Sequence, residues 1–154
     1  MEAVRLFHQV LRAEMALAAA PARVFPLLCP VREAEWLPGW HAEVLYSASG
    51  LAELGCVFRT RDEGGRERVW SITRHDPAAG IVQFAQFLAG LCVIRLDIVL
   101  AAEGQGTRAE WTYTVAALEP GHEDFFQDYA EAPFQARMAR LAGLLEAFLA
   151  AGRG

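Results

Sequence analysis

Lysine and asparagine are missing altogether from this 154-residue chain, and all 14 basic residues are arginine. Without a lysine there is no Schiff-base amine and no Walker-type phosphate loop, since both need an amine on a flexible stem. Without asparagine there is no N-glycosylation acceptor. Cysteine is scarce: Cys29, Cys56 and Cys92 are odd in number, widely spaced and free of any C-x-x-C pair. A disulfide framework and a zinc site are therefore not expected, and three reduced buried thiols are. No two of the four histidines share ligand spacing, so neither a metal nor another cofactor is expected. Basic stripes are also missing, and a formal charge of −5 speaks against nucleic acid as a partner. No apolar run approaches a membrane span. The alanine-rich start resembles a signal peptide superficially, but Arg5, His8, Arg12 and Glu14 interrupt its apolar stretch. The expected location is the cytoplasm.

What is present is apolar: 54% hydrophobic residues against 21% charged. That excludes disorder and allows a large core. At this length one domain spanning 1–154 is expected, burying roughly 70% of its unfolded surface without a staple. The acidic residues Glu119, Glu123, Asp124, Asp128 and Glu131 read as a solvated face.

Val4–Ala18 alternates apolar and polar residues and predicts a long first strand, in which Glu14 has no obvious place. Pro21 suits the first turn of a short helix, whose buried side is Val24, Phe25, Leu27 and Leu28. A second short helix at Val31–Glu35 runs into the turn at Trp36–Trp40. From Ala42 to Leu118 the period is two, with strands expected at Ala42–Ser47, Cys56–Arg61, Glu67–His75, Ile81–Leu88, Leu91–Ala102 and Thr107–Leu118. Glycine-bearing turns separate them and force an antiparallel meander. Gly121–Ala151 is helical in period, with Phe134, Met138, Leu141, Leu145 and Phe148 forming an apolar stripe and Leu144 beside it. Pro133 should kink this helix or divide it from a turn carrying Phe125, Phe126 and Tyr129.

A register follows from the last two strands. With Glu103–Gly106 as the loop, Ile98 faces Trp111 and Leu96 faces Tyr113 on one apolar face, and a one-residue slip would expose that whole set. Reading Leu88–Gly90 as a three-residue loop with Gly90 left-handed puts Val82, Phe84 and Gln86 inside. The same logic places Trp70, Ile72, Phe58 and Cys56 inside, Arg68 and Thr60 near the rim, and lets Arg61 pair with Glu67 outside.

The order of strand, two short helices, meander and long C-terminal helix resembles the START-like, helix-grip fold of the SRPBCC superfamily. Ala19–Phe25 is similar to the family's strand-to-helix entry, and Glu35–Trp40 to its aromatic loop into the second strand. His75–Pro77, Tyr113–Val115 and the Phe/Met/Leu helix are similar to later landmarks. The resemblance implies an α+β fold: a curved antiparallel sheet of about seven strands around the C-terminal helix, with two short helices between strands 1 and 2. It implies a cavity near the helix N-terminal end, and a superfamily range from lipid carriers to polyketide cyclases and dehydratases, oxygenase domains and chaperone activators. No Rieske-type Cys/His spacing is present, and no family catalytic residue transfers by position.

The inner face and helix suggest a ligand-binding wall of Trp40, Phe58, Trp70, Phe84, Trp111, Tyr113, Phe134 and Met138, with Phe126, Tyr129 and Phe134 at the mouth. Polar handles would come from Tyr46, Thr60, Arg68, Gln86 and Tyr113. Alternatively the same aromatics fill a solid core. For Arg68 the two readings are an anchor for an anionic ligand and an ion pair at the rim. His41 would stand near the entrance, where catalysis and a surface role are both open; His75 is expected outward. Ser47, Ser49 and Ser71 lack a nucleophile elbow. The leading expectation is binding of a small apolar partner, aromatic or polyketide-like. The alternatives are a cyclase or dehydratase using the same cavity and a protein-interaction domain using the outer sheet. A homodimer stays open.

Overall fold

A computed structural model of the chain describes residues 5–152. Seven strands form one antiparallel sheet: β1 (His8–Leu17), β2 (Glu43–Tyr46), β3 (Val57–Arg61), β4 (Glu67–Asp76), β5 (Ile81–Leu88), β6 (Cys92–Glu103) and β7 (Gly106–Ala117). Their spatial order is β1-β7-β6-β5-β4-β3-β2. Consecutive strands from β2 to β7 are hairpin neighbours because each connection is too short for a crossover. The one long connection runs from β1 at one edge to β2 at the other. It carries α1 (Pro21–Val24) and two 3₁₀ turns, Phe25–Leu27 and Arg32–Glu35. After the sheet come α2 (Glu123–Phe126), a 3₁₀ turn (Gln127–Tyr129) and the long helix α3 (Glu131–Ala150).

The expected register of β6 and β7 is the observed one: Ile98 pairs with Trp111 and Leu96 with Tyr113. Between β5 and β6, Leu88 pairs with Cys92, so the loop is Ala89–Leu91, one residue later than expected, with Gly90 at φ +70°. Moving the loop by one residue moves each pairing by two, so the buried face stays as read: Val82, Phe84 and Gln86 lie inside. Further along, Arg68 pairs with Thr60 and Trp70 with Phe58. Outside, the Arg61 guanidinium lies 3.3 Å from the Glu67 carboxylate.

Two expectations need correction. The first strand begins at His8 rather than Val4, whose position lies outside the described residues, and Glu14 stands exposed on its outer face opposite Glu110. His75 does not point outward. A bulge between Ile72 and Arg74 adds one residue to β4 and inverts its phase, and the His75 ring packs 5.3 Å from Phe25. Burial then pulls its imidazole below the ordinary value. Of the two outcomes expected at Pro133, division is the one observed: α3 starts at Glu131, apart from the turn carrying Phe125, Phe126 and Tyr129. Pro133 occupies the third helical position, in the first turn, where no intrahelical N–H is required; the break itself falls at Ala130, which caps the helix in extended geometry.

Helix α3 lies on the concave side and buries Phe134, Met138, Leu145, Phe148 and Leu149. Polar groups fasten it to β1: Glu146 accepts from the Ala18 N–H, and the Gln135 amide donates to the Arg12 carbonyl at 2.6 Å. The core is continuous across sheet, crossover and helix, but not solid at the N-terminal end of α3. Among the described residues, no helix is long and apolar enough to cross a membrane. Cys29, Cys56 and Cys92 are free and buried.

Candidate functional site

A cavity of about 540 Å³ opens where α2 and the start of α3 meet the far half of the sheet. Its floor comes from alternate inward positions of the meander: Thr60 on β3, Arg68 and Trp70 on β4, Gln86 on β5 and Tyr113 on β7. Phe125 and Tyr129 close it from the helical side, and Trp40 and His41 from the crossover. A second, smaller space of about 80 Å³ lies deeper, between Trp36, Leu37, Phe84, Trp111 and Leu141. Trp40, Trp70 and Tyr113 belong to both walls. The outer cavity and the inner chamber therefore adjoin at a shared aromatic neck.

Packing fixes the neck. Trp70 stacks on Phe58 at 5.2 Å with planes 18° apart, and meets Trp40 edge-on at 5.8 Å and Phe84 at 6.0 Å. Both indole N–H groups are satisfied within the protein: Trp70 donates to the Thr60 hydroxyl at 2.9 Å and Trp40 to the Pro30 carbonyl at 2.8 Å. A rigid apolar surface with its polar atoms already engaged is suited to hold flat, apolar groups.

The polar side of the outer cavity is a network centred on Arg68. Its guanidinium reaches Asp62 twice, Nε to Oδ1 at 2.8 Å and Nη2 to Oδ2 at 3.2 Å. Nη1 donates to Gln86 Oε1 at 3.0 Å and to the Tyr129 hydroxyl at 3.3 Å. Of the two readings of Arg68, the ion pair is the one present. Arg137 donates to the Asp128 carbonyl and lies over the Tyr129 ring at 5.1 Å. The rim carries three arginines (Arg61, Arg68, Arg137) against three carboxylates (Asp62, Glu63, Asp128). That balance gives no preference for an anion.

Inside, the chemistry changes. Glu33 lines the chamber among apolar side chains. It keeps some accessible surface, but protein surrounds its carboxyl, and burial pushes the acid up to about 8. Tyr113 is raised above its ordinary value, first by burial. Trp111 Nε1 is buried with no hydrogen-bond partner among the described residues.

Of the residues expected to bind a ligand, Trp40, Phe58, Arg68, Trp70, Phe84, Gln86, Trp111, Tyr113 and Tyr129 line one space or the other. Four do not. Tyr46 is 60% exposed, because β2 is a short edge strand whose pairing with β3 shifts between Val44 and Tyr46. Phe126 turns away from the cavity and stacks on Phe7 at 4.4 Å, leaving its neighbour Phe125 at the mouth. Phe134 is fully buried beneath Tyr113, edge-on at 5.2 Å, and Met138 lies in the core below it.

Glu33, Asp62 and Arg137 are missing from the expected set. Glu33 had one usable signal. In a 3₁₀ turn, side chains three apart eclipse, so Arg32 and Glu35 share one side and Glu33 and Trp36 the other. Arg32 and Glu35 form an ion pair; Trp36 is buried and takes Glu33 inward with it.

No family model and no curated protein sequence matches the chain. Solved structures of the same fold do. One is Ara h 8.0201, at 15% identity over 94% of this chain and 99% of that one, with a TM-score of 0.70. Another is norcoclaurine synthase from Thalictrum flavum in complex with dopamine and hydroxybenzaldehyde, at 12% identity over 97% and 90%, TM-score 0.70. A third is DynU16, a protein of the dynemicin biosynthetic locus, at 15% identity over 94% of this chain and 48% of that chain, TM-score 0.63. The expected START-like, helix-grip architecture is thus the fold of this chain, a curved seven-stranded sheet around a long C-terminal helix, in the Bet v 1-like form.

Proposed function

We propose that this protein binds a small, neutral, mainly apolar molecule with at least one aromatic or planar ring. The ring would lie in the outer cavity against Trp40, Trp70 and Tyr113, with one end of the molecule reaching into the inner chamber. The observation that carries this reading is the shared neck: three aromatic side chains wall both adjoining spaces, and an elongated ligand parting them would occupy both. The balanced rim favours an uncharged ligand, since an anion would have to compete with Asp62 for Arg68. A protein of this fold in complex with dopamine and hydroxybenzaldehyde is consistent with ligands of this size and shape. A polyketide-like aromatic would satisfy the same description, and three free buried cysteines suit a reducing compartment such as the cytoplasm.

Native mass spectrometry of freshly purified protein tests the reading. The expected result is a one-to-one adduct of a few hundred daltons, the usual size for such cavities, absent after denaturation and depleted in Trp70→Ala. An adduct retained in full by Trp70→Ala would contradict it.

A further inference from the structure

Binding alone does not use Glu33. A carboxyl group in an apolar chamber is costly unless it is paired, yet among the described residues Glu33 has no hydrogen bond or ion pair from its side chain, and Arg32 beside it is engaged with Glu35. The elements packed around the chamber offer little to compensate it. Strands β3 to β6 present Phe58, Trp70, Phe84, Leu96 and Ile98, and α3 presents Leu141. Tyr113, from β7, is the other titratable group in that wall. The charged groups Arg68, Asp62, Asp128 and Arg137, with Tyr129 and His41, stand in the outer cavity.

Two hydrogen-bond donors share the wall with Glu33. Trp111 Nε1 is buried and unpartnered, and the Tyr113 hydroxyl makes no hydrogen bond to the described residues. Both can donate, and an acceptor atom on a ligand in the chamber would satisfy them. A carbonyl oxygen supplies one. Unlike an alcohol, it also makes the neighbouring C–H bond acidic once its oxygen is held by donors. The chamber, about 80 Å³, is smaller than the roughly 150 Å³ apolar cavity that takes benzene. It therefore admits the reacting end of a ligand rather than a whole ring system.

We propose that Glu33 is a catalytic acid–base residue that moves a proton at the carbon next to a carbonyl group of a neutral ligand, with Tyr113 and Trp111 holding the carbonyl oxygen. This rests on the cavity being a ligand site, as proposed above. The ionised carboxylate of Glu33 takes the proton: the C–H bond breaks and a carboxyl O–H bond forms. The C–H electron pair becomes a C=C bond, and the carbonyl π pair moves onto oxygen, to which the Tyr113 O–H and the Trp111 N–H would donate. Glu33 then returns the proton to the same carbon, or to another carbon conjugated with it, and is restored. No oxidant, metal or co-reactant enters the balance. An acid held near neutrality by burial is well matched to both halves of this cycle.

The probe is 2-tetralone, a neutral aromatic ketone with acidic C–H groups. Its binding is read by tryptophan quenching and its proton exchange in D₂O by NMR, corrected for exchange in buffer. The wild-type protein should accelerate exchange, with a rate that rises as pH passes through about 8. Glu33→Gln should bind 2-tetralone within about threefold of wild type and exchange it roughly 100-fold more slowly. Tyr113→Phe should lose about tenfold, the loss of one weaker oxyanion donor. Binding without acceleration overturns this proposal and leaves the ligand site standing, as does acceleration that Glu33→Gln retains or that does not vary with pH. Failure of 2-tetralone to bind overturns both.

Discussion

Arg68 holds Asp62 through two parallel hydrogen bonds of 2.8 and 3.2 Å, so the one guanidinium set into the cavity floor is neutralised by its own hairpin loop. Removing Asp62 should therefore change what the cavity accepts. In Asp62→Ala an anionic probe such as anilinonaphthalene sulfonate is expected to bind about tenfold more tightly, while affinity for 2-tetralone changes less than threefold. The loss of stability should be about 1–2 kcal/mol, well under that for a fully buried pair because Asp62 is partly exposed. Fluorescence titration and thermal unfolding read the two effects.

How much of this was legible in the sequence depends on the phase of each element. The pairing of Ile98 with Trp111 could be read because both strands alternate strictly and Gly104 and Gly106 bracket a short loop. The loop before β6 lies one residue later than alternation alone suggests, and the resulting shift of two preserves the face. One inserted residue after Ile72 was enough to turn His75 inward, and a bulge has no compositional mark there. At Phe125 and Phe126 the sequence offers two equal aromatics. Which of them faces the cavity is set by how α2 starts, from His122 in left-handed geometry at φ +64°. Glu33 hid within Arg32–Glu35, a run that reads as solvated charge until its 3₁₀ spacing is known.

The two adjacent phenylalanines yield a paired prediction. Phe126→Ala should lower stability by about 3–4 kcal/mol, since it removes a buried ring, and leave affinity for 2-tetralone within twofold. Phe125→Ala should cost about 1 kcal/mol, because that ring is only half-buried, and weaken the same binding at least fivefold. Chemical denaturation and quenching titrations on both variants measure this.

Stability should also report Glu33. A carboxyl raised to about 8 in the folded protein binds a proton there at pH values where the unfolded chain has already lost it. Its contribution is complete below the unfolded value near 4.5 and is lost as pH rises toward 8. Wild-type stability should accordingly fall between pH 5 and 8 relative to Glu33→Gln, with a difference slope of up to about 1.4 kcal/mol per pH unit. Urea denaturation of both proteins across that range gives the difference directly.

The most direct test of the central claim is a titration of ¹⁵N-labelled protein with 2-tetralone, followed at the four tryptophan indole N–H resonances. The account predicts saturable shifts at Trp40, Trp70 and Trp111, largest at Trp111, whose N–H alone among the four lacks a partner in the described residues and would gain the ligand oxygen. Shifts confined to backbone amides of the exposed sheet face around Val10, Phe87 and Val99, with all four indoles unmoved, would contradict it.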